Sequence, residues 1–337
     1  MLRMNAKTLL VLATAMFALI ACEPLVPTAQ SIVITETPLP PTATLTPTVT
    51  PTATTTPQPT ETPPPPTPTR EPCTETEGVL LETSFFSAAL GDEVSYRIYF
   101  PPCYLQTQRR YPYVVLLHGL EATGQTPYTG QHWLDMGVIE ALERGLAAGR
   151  LPPMVLVIPD GGRPAGSNVF GQPQSYENVI VNELIGEIES ERSGYCLWSA
   201  RAGRAIAGIS RGGFWAFEIA LRHPAMFTAV AGHSPFFDPQ VPADYDPIAL
   251  AESVSLESLR GLRIMFDHGA NDYVQADVRR FSNALSRREI EHDYIVNPVG
   301  EHVDEYWRSH VSEYLVFYGA AWPRDPYDLP SCLEPVE

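Results

Sequence analysis

From Val94 to Tyr318, short apolar runs alternate with stretches whose apolar residues recur at three- and four-residue steps, and few folds accommodate that order. The runs Val94–Phe100, Tyr113–His118, Met154–Pro159, Arg204–Ile209, Phe227–Gly232, Arg263–Phe266 and Asp293–Val296 read as buried strands. Helical spacing occupies Trp133–Ala148, Tyr176–Ile188, Gly213–Leu221, Ala276–Ser286 and Asp304–Tyr318. Strand-then-helix repetition implies an α/β fold, with a mostly parallel central sheet covered by helices on both faces. In such sheets the chemistry collects at the carboxyl ends of the strands. The long irregular stretch Asp238–Leu262 is expected to fold over that rim as a small cap.

Upstream of this pattern the composition changes twice. Residues 1–21 begin with Arg3 and Lys7 and continue in the apolar run Thr8–Ala21, the length of a signal-peptide core and short for a membrane span. The run closes Leu19-Ile20-Ala21-Cys22, which resembles a bacterial lipobox, so Cys22 is the expected lipidation site. Acyl chains there would hold the protein on a membrane at about 0.8 kcal/mol per buried CH₂. Residues 22–72 follow. Between Pro24 and Pro72 lie 15 Pro and 16 Thr, too little apolar surface to offset the entropy of ordering. An extended polyproline-II tether is expected, with a contour reach on the order of 150 Å. Residues 73–337 make the catalytic-domain candidate.

The balance of 22 Lys and Arg against 39 Asp and Glu, net −17, argues against a nucleic-acid binder or a polybasic membrane-surface protein. Beyond Cys22 four cysteines remain: Cys73, Cys103, Cys196 and Cys332. An even set in an exported domain reads as two disulfides, and three pairings are possible. Cys73–Cys103 would pin the entry segment to a strand end, and Cys196–Cys332 would tie down the tail. No two cysteines are spaced as zinc ligands usually are, and neither a metal nor an organic cofactor is called for.

The sharpest local signal is Gly208-Ile209-Ser210-Arg211-Gly212, a G-x-S-x-G between a strand and a helix. This is the context of a nucleophile elbow, and it marks Ser210. A serine hydroxyl needs a base, and the base needs an orienting carboxylate. Of eight histidines, His302 lies just past the last strand and before the last helix. His310 lies inside that helix and His292 opens the strand. Asp272 follows the preceding strand in a loop bearing Gly269 and Asn271, with Asp267 its main rival and Asp304 close to His302 in sequence. Leu116-Leu117-His118-Gly119-Leu120 closes an early strand, so the backbone amides of Leu120 and Arg211 are the expected oxyanion donors, with His118 bracing the loop. Trp133, Phe236 and Trp307 are the foremost aromatic candidates for a substrate pocket, with Phe170, Phe237 and Tyr306 behind them, although aromatic residues more often fill cores.

These stretches resemble, in order, those of an α/β-hydrolase esterase family. The family includes esterase D (S-formylglutathione hydrolase), feruloyl and acetyl xylan esterases, enterochelin esterases and mycolyltransferases. The resemblance is carried by Tyr111–Gly119, Leu151–Gly161, Asn182-Glu183-Leu184-Ile185, Arg204–Gly213 and Gly300-Glu301-His302. It implies an α/β-hydrolase fold, a Ser210–His302–Asp272 triad and serine carboxylic-ester hydrolysis. It leaves the substrate open. Feruloyl or acetyl groups on external polysaccharides suit an exported enzyme. An acyltransferase, an S-formylglutathione or enterochelin-type esterase, and a catalytically silent surface-binding module are the alternatives. Members commonly carry Met after the serine; here Arg211 stands there, its side chain expected to pair with a carboxylate on the helix face or to meet an anionic substrate.

Overall fold

The structure is a computed structural model that describes residues 73–120 and 129–333. The signal-like segment, Cys22 and the Thr/Pro-rich stretch lie outside the described residues.

Eight strands form one sheet: β1 (Val79–Ser87), β2 (Asp92–Phe100), β3 (Tyr113–Leu117), β4 (Val155–Pro159), β5 (Arg204–Ile209), β6 (Ala229–His233), β7 (Arg263–Gly269) and β8 (Asp293–Asn297). Their spatial order is β1-β2-β4-β3-β5-β6-β7-β8. The pairs β1·β2 and β2·β4 are antiparallel, and every pair from β4 to β8 is parallel. After β3 the chain places β4 on one side, then crosses back to place β5 on the other. The order therefore reverses between β3 and β5, where a crevice opens at the carboxyl ends.

The central strands are buried on both faces, as continuous apolar runs require. On one face Val115, Leu117, Ile206 and Val230 pack under the helices Arg211–Arg222 and Gln275–Arg287. The other face is small where it matters. Ala205, Ala207, Ala229 and Ala231 leave room for Trp307, Tyr314 and Tyr318 of the last helix, Asp304–Gly319.

The structure corrects four readings of the sequence. β1 is an additional edge strand, largely exposed, whose residues carry no buried-strand pattern. The helix expected over Trp133–Ala148 is two helices, Gln131–Asp135 and Val138–Ala147, separated where Gly137 takes φ 76°. Within Tyr176–Ile188 the backbone forms a π turn over Val179–Leu184. The stretch 238–262 is no cap: its helix Pro247–Ser253 packs against Arg211–Arg222 and Gln275–Arg287, and Ala251, Leu259 and Leu262 enter the core. Most of its apolar residues are spent on these core contacts, with Leu256 left exposed to solvent.

Both disulfides form as Cys73–Cys103 and Cys196–Cys332. The second sits where the tail is also held by backbone bonds from Arg110 N–H to Pro330 O (2.8 Å) and from Cys332 N–H to Gln108 O (2.9 Å).

Candidate active site

The parallel register brings the relevant strand ends to one rim. Leu117 pairs with Gly208, Ile209 with His233, His233 with Asp267, and Gly269 with Asn297. Each residue just beyond those pairs can therefore project into the same space.

Ser210 stands on the turn from β5 into the helix Arg211–Arg222, with φ 52° and ψ −116°. The turn is tight enough that a Cβ on Gly208 would lie 2.2 Å from the Gly212 carbonyl, and one on Gly212 would lie 2.3 Å from Leu117 O. Only hydrogen fits at either position, which is the physical content of the G-x-S-x-G pattern. The Ser210 hydroxyl lies 2.8 Å from His302 Nε2. His302 Nδ1 lies 3.0 and 3.2 Å from the two Asp272 carboxylate oxygens. The three side chains thus form one hydrogen-bonded line from three separate strand ends. Burial alone would raise the Asp272 carboxyl, but hydrogen bonds from His302, Ser234 and the Val274 amide outweigh it and hold it below the usual carboxylate range.

Asp267 is engaged elsewhere. It lies inside β7 and accepts from His233 Nδ1 (2.7 Å), the Tyr306 hydroxyl (2.5 Å) and the Tyr314 hydroxyl (3.1 Å), beneath the last helix. Asp304 pairs with His132 Nε2 at 3.0 Å instead of with His302. His310 bonds Glu313 on the helix surface, and His292 bonds Ser282.

Leu120 and Arg211 both border the cleft above Ser210. The Arg211 amide is the first of its helix, so it has no intrahelical acceptor and faces the positive end of the helix dipole. His118 Nδ1 lies 2.7 Å from Gly119 O, and the Gly161 amide donates to His118 Nε2 at 2.7 Å. Because that amide can only donate, the imidazole proton sits on Nδ1 and goes to Gly119 O. In a trans peptide C=O and N–H point opposite ways. Tethering the Gly119 carbonyl therefore aims the Leu120 N–H away from His118.

The cleft has a volume of about 590 Å³, with walls formed by Leu120, His132, Phe236, Tyr273, Val303 and Trp307. Phe236 and Trp307 thus lie where a pocket needs them. Trp133 does not: it is fully buried, and its indole N–H donates to Leu117 O at 3.1 Å, so it fills the core beneath β3. Phe170, which stacks on Tyr245, packs beside Trp215, while Phe237 and Tyr306 are buried core residues. Arg211 borders the cleft, but its Nη2 donates to Asn168 Oδ1 (2.5 Å) and Ser167 O (3.2 Å), and the guanidinium lies over the Phe214 ring. Its nearest carboxylate, Asp238 at 4.0 Å, is on a loop and not on the helix face. Burial lowers its pKa to about 10, so it is still a cation at neutral pH.

Tyr273, which lines the cleft, and the fully buried Ser234 both escaped the sequence reading. Tyr273 follows Asp272 directly, is largely exposed, and places its ring 4.5 Å from that of His302. Ser234 is the first residue past β6, as Ser210 is past β5. The rule that site groups sit at carboxyl strand ends was the available signal for it.

A family model described as "Putative esterase" matches residues 87–318. The chain belongs to this family. Esterase Rv1288 of Mycobacterium tuberculosis is 30% identical over 156 residues, which is 44% of this chain and 31% of that protein. The endo-1,4-beta-xylanase/feruloyl esterase of Xylanibacter ruminicola is 28% identical over 158 residues, 44% of this chain and 20% of that one. The chain thus spans a third or less of the length of these curated relatives. Among solved structures, a ferulic acid esterase superposes with a TM-score of 0.63 at 24% identity, covering 73% of this chain and all of that one. That likeness is one of fold: the sheet of this esterase-family chain and its helical layers are those of the α/β hydrolases.

Proposed function

We propose that this esterase-family chain hydrolyses carboxylic esters through an acyl-enzyme on Ser210. The observation that carries the proposal is the unbroken line from the Ser210 hydroxyl through His302 to Asp272 at one rim of the sheet. As Ser210 Oγ attacks the ester carbonyl, its proton passes to His302 Nε2, and Asp272 stabilises the imidazolium that forms. The oxyanion takes hydrogen bonds from the Leu120 and Arg211 amides. Collapse expels the alcohol with the proton from His302. Water, deprotonated by the same ring, then attacks the acyl-enzyme, releases the acid and restores the serine.

For the substrate we infer feruloyl, acetyl or similar acyl groups carried on polysaccharide. Two features support this choice: the aromatic walls Phe236, Tyr273 and Trp307 suit a planar acyl group, and the relatives named above include feruloyl esterases. The lipobox-like Cys22 and the Thr/Pro-rich stretch support a lipid-anchored position outside the cell, where polymeric substrates would be met. Purified protein is assayed on p-nitrophenyl acetate, methyl ferulate and an acyl thioester. Wild type is expected to turn over the oxygen esters, with Ser210→Ala slower by about 10⁴-fold or more. Equal rates for the two proteins refute the mechanism, and a preference for the thioester refutes the substrate class.

A further inference from the structure

We propose that Asp304, held in place by His132, is a specificity-determining residue: it accepts a hydrogen bond from a hydroxyl on the alcohol half of the ester, so that the site favours sugar alcohols over simple ones. This rests on the esterase reading given under Proposed function and assigns residues to its alcohol side.

His132 and Asp304 lie outside the triad yet border the same cleft as Ser210 and His302. A Cβ built on Gly119 would lie 3.3 Å from Ser210 Cβ and 3.8 Å from His132 Cε1, so the second imidazole stands just across Gly119 from the nucleophile. Trp307 lies between the two imidazoles, edge-on to His302 at 5.0 Å and to His132 at 6.0 Å. Asp304 follows His302 by two residues and shares its wall of the cleft. In the mechanism above, His302 is the group that returns a proton to the departing alcohol. The alcohol therefore leaves past the stretch that carries Asp304.

The donor–acceptor roles leave one oxygen for the substrate. His132 is buried, whereas the Asp304 side chain is 44% exposed. His132 Nε2 lies 3.0 Å from Asp304 Oδ1. A carboxylate can only accept, so the proton between them is on Nε2. The imidazole thus grips the carboxylate from the buried side, and Oδ2 is left to accept from the cleft. Asp304 is also the first residue of the helix Asp304–Gly319, whose positive end offsets part of its charge, and Arg308 lies one turn further on. A cationic substrate would be repelled by both, while a hydroxyl needs only the lone pair. A sugar ring brings several hydroxyls to that position, and a methyl ester brings none.

The test compares wild type, Asp304→Ala and Asp304→Asn in the full protein on three esters of one acid: methyl ferulate, a feruloyl arabinose and feruloylcholine. Wild type is expected to show a lower KM for the sugar ester than for the methyl ester. Asp304→Ala is expected to lose about tenfold more kcat/KM on the sugar ester than on the methyl ester, mostly through KM. Asp304→Asn keeps an oxygen for His132 but turns an amide donor toward the cleft. It is expected to move the same ratio in the same direction by less, and it carries the test if the alanine variant does not fold. A sugar-to-methyl ratio unchanged in Asp304→Asn overturns the assignment even if both rates fall, because lost packing or a disturbed His302 would slow the two esters alike. A loss confined to the choline ester also overturns it, since that would mark a cation site. Both of those results leave the esterase assignment intact. Inactivity of the wild type on every ester overturns the esterase assignment and the role of Asp304 with it.

Discussion

His118 has both ring nitrogens committed, one to the Gly119 carbonyl and one to the Gly161 amide. Burial lowers its pKa to about 4, so the folded ring is neutral through the range where a free imidazole, at about 6.5, takes up a proton. The unfolded chain binds the extra proton between those values, so stability is complete above about pH 6.5 and falls as the pH drops toward 4. The shift corresponds to about 3 kcal/mol across that window. Burial also lowers His132 and His233, which add to the fall. Thermal unfolding of wild type and His118→Asn between pH 7 and pH 4.5 separates the share of His118. The variant, whose amide can donate and accept but cannot titrate, is expected to lose less stability. Identical slopes would show that the ring does not enter the fold uncharged.

At the scale of elements, the strand-to-helix turn at Ser210 governs the site. β5 and the helix Arg211–Arg222 approach so closely that Gly208 and Gly212 touch backbone. A methyl at Gly208 would meet the Gly212 carbonyl at 2.2 Å, and main chain cannot yield as a side-chain tip can. Gly208→Ala is therefore expected to lower the unfolding free energy by more than about 3 kcal/mol, read as a drop in denaturation midpoint or loss of soluble protein. A variant of wild-type stability would mean that the elbow is looser than its geometry. The turn itself was legible, because strand, glycines and helix lie within a few residues. The break at Gly137 and the packing of the stretch 238–262 were not, since both depend on what those segments meet across the fold.

For the whole molecule, two long-range ties close the domain. Cys196–Cys332 spans 136 residues and Cys73–Cys103 spans 30. Both suit the exported setting proposed from residues 1–72. That setting has its own test. Labelling with a fatty acid in a bacterial host is expected to mark the wild-type chain and to leave Cys22→Ser unlabelled and released from membranes. Equal labelling of both chains would discard the anchor.

The amino-acid order alone determined the class of fold and Ser210. Both follow from local periodicity and from a motif only a few residues long, whose sterics act between neighbours. It also narrowed the base to His302, because that residue follows the last strand. What only the tertiary structure decided is which carboxylate is hydrogen-bonded to that imidazole and what surrounds the pair. Asp267 and Asp272 lie five residues apart, and nothing in their immediate sequence states that one points beneath the last helix and the other toward His302. Trp133 and Trp307 likewise read alike in sequence, yet one fills the core and the other forms a cleft wall. Side-chain direction at a strand end is set by the register of the neighbouring strands and by the helix that covers them, and those partners are distant in the chain.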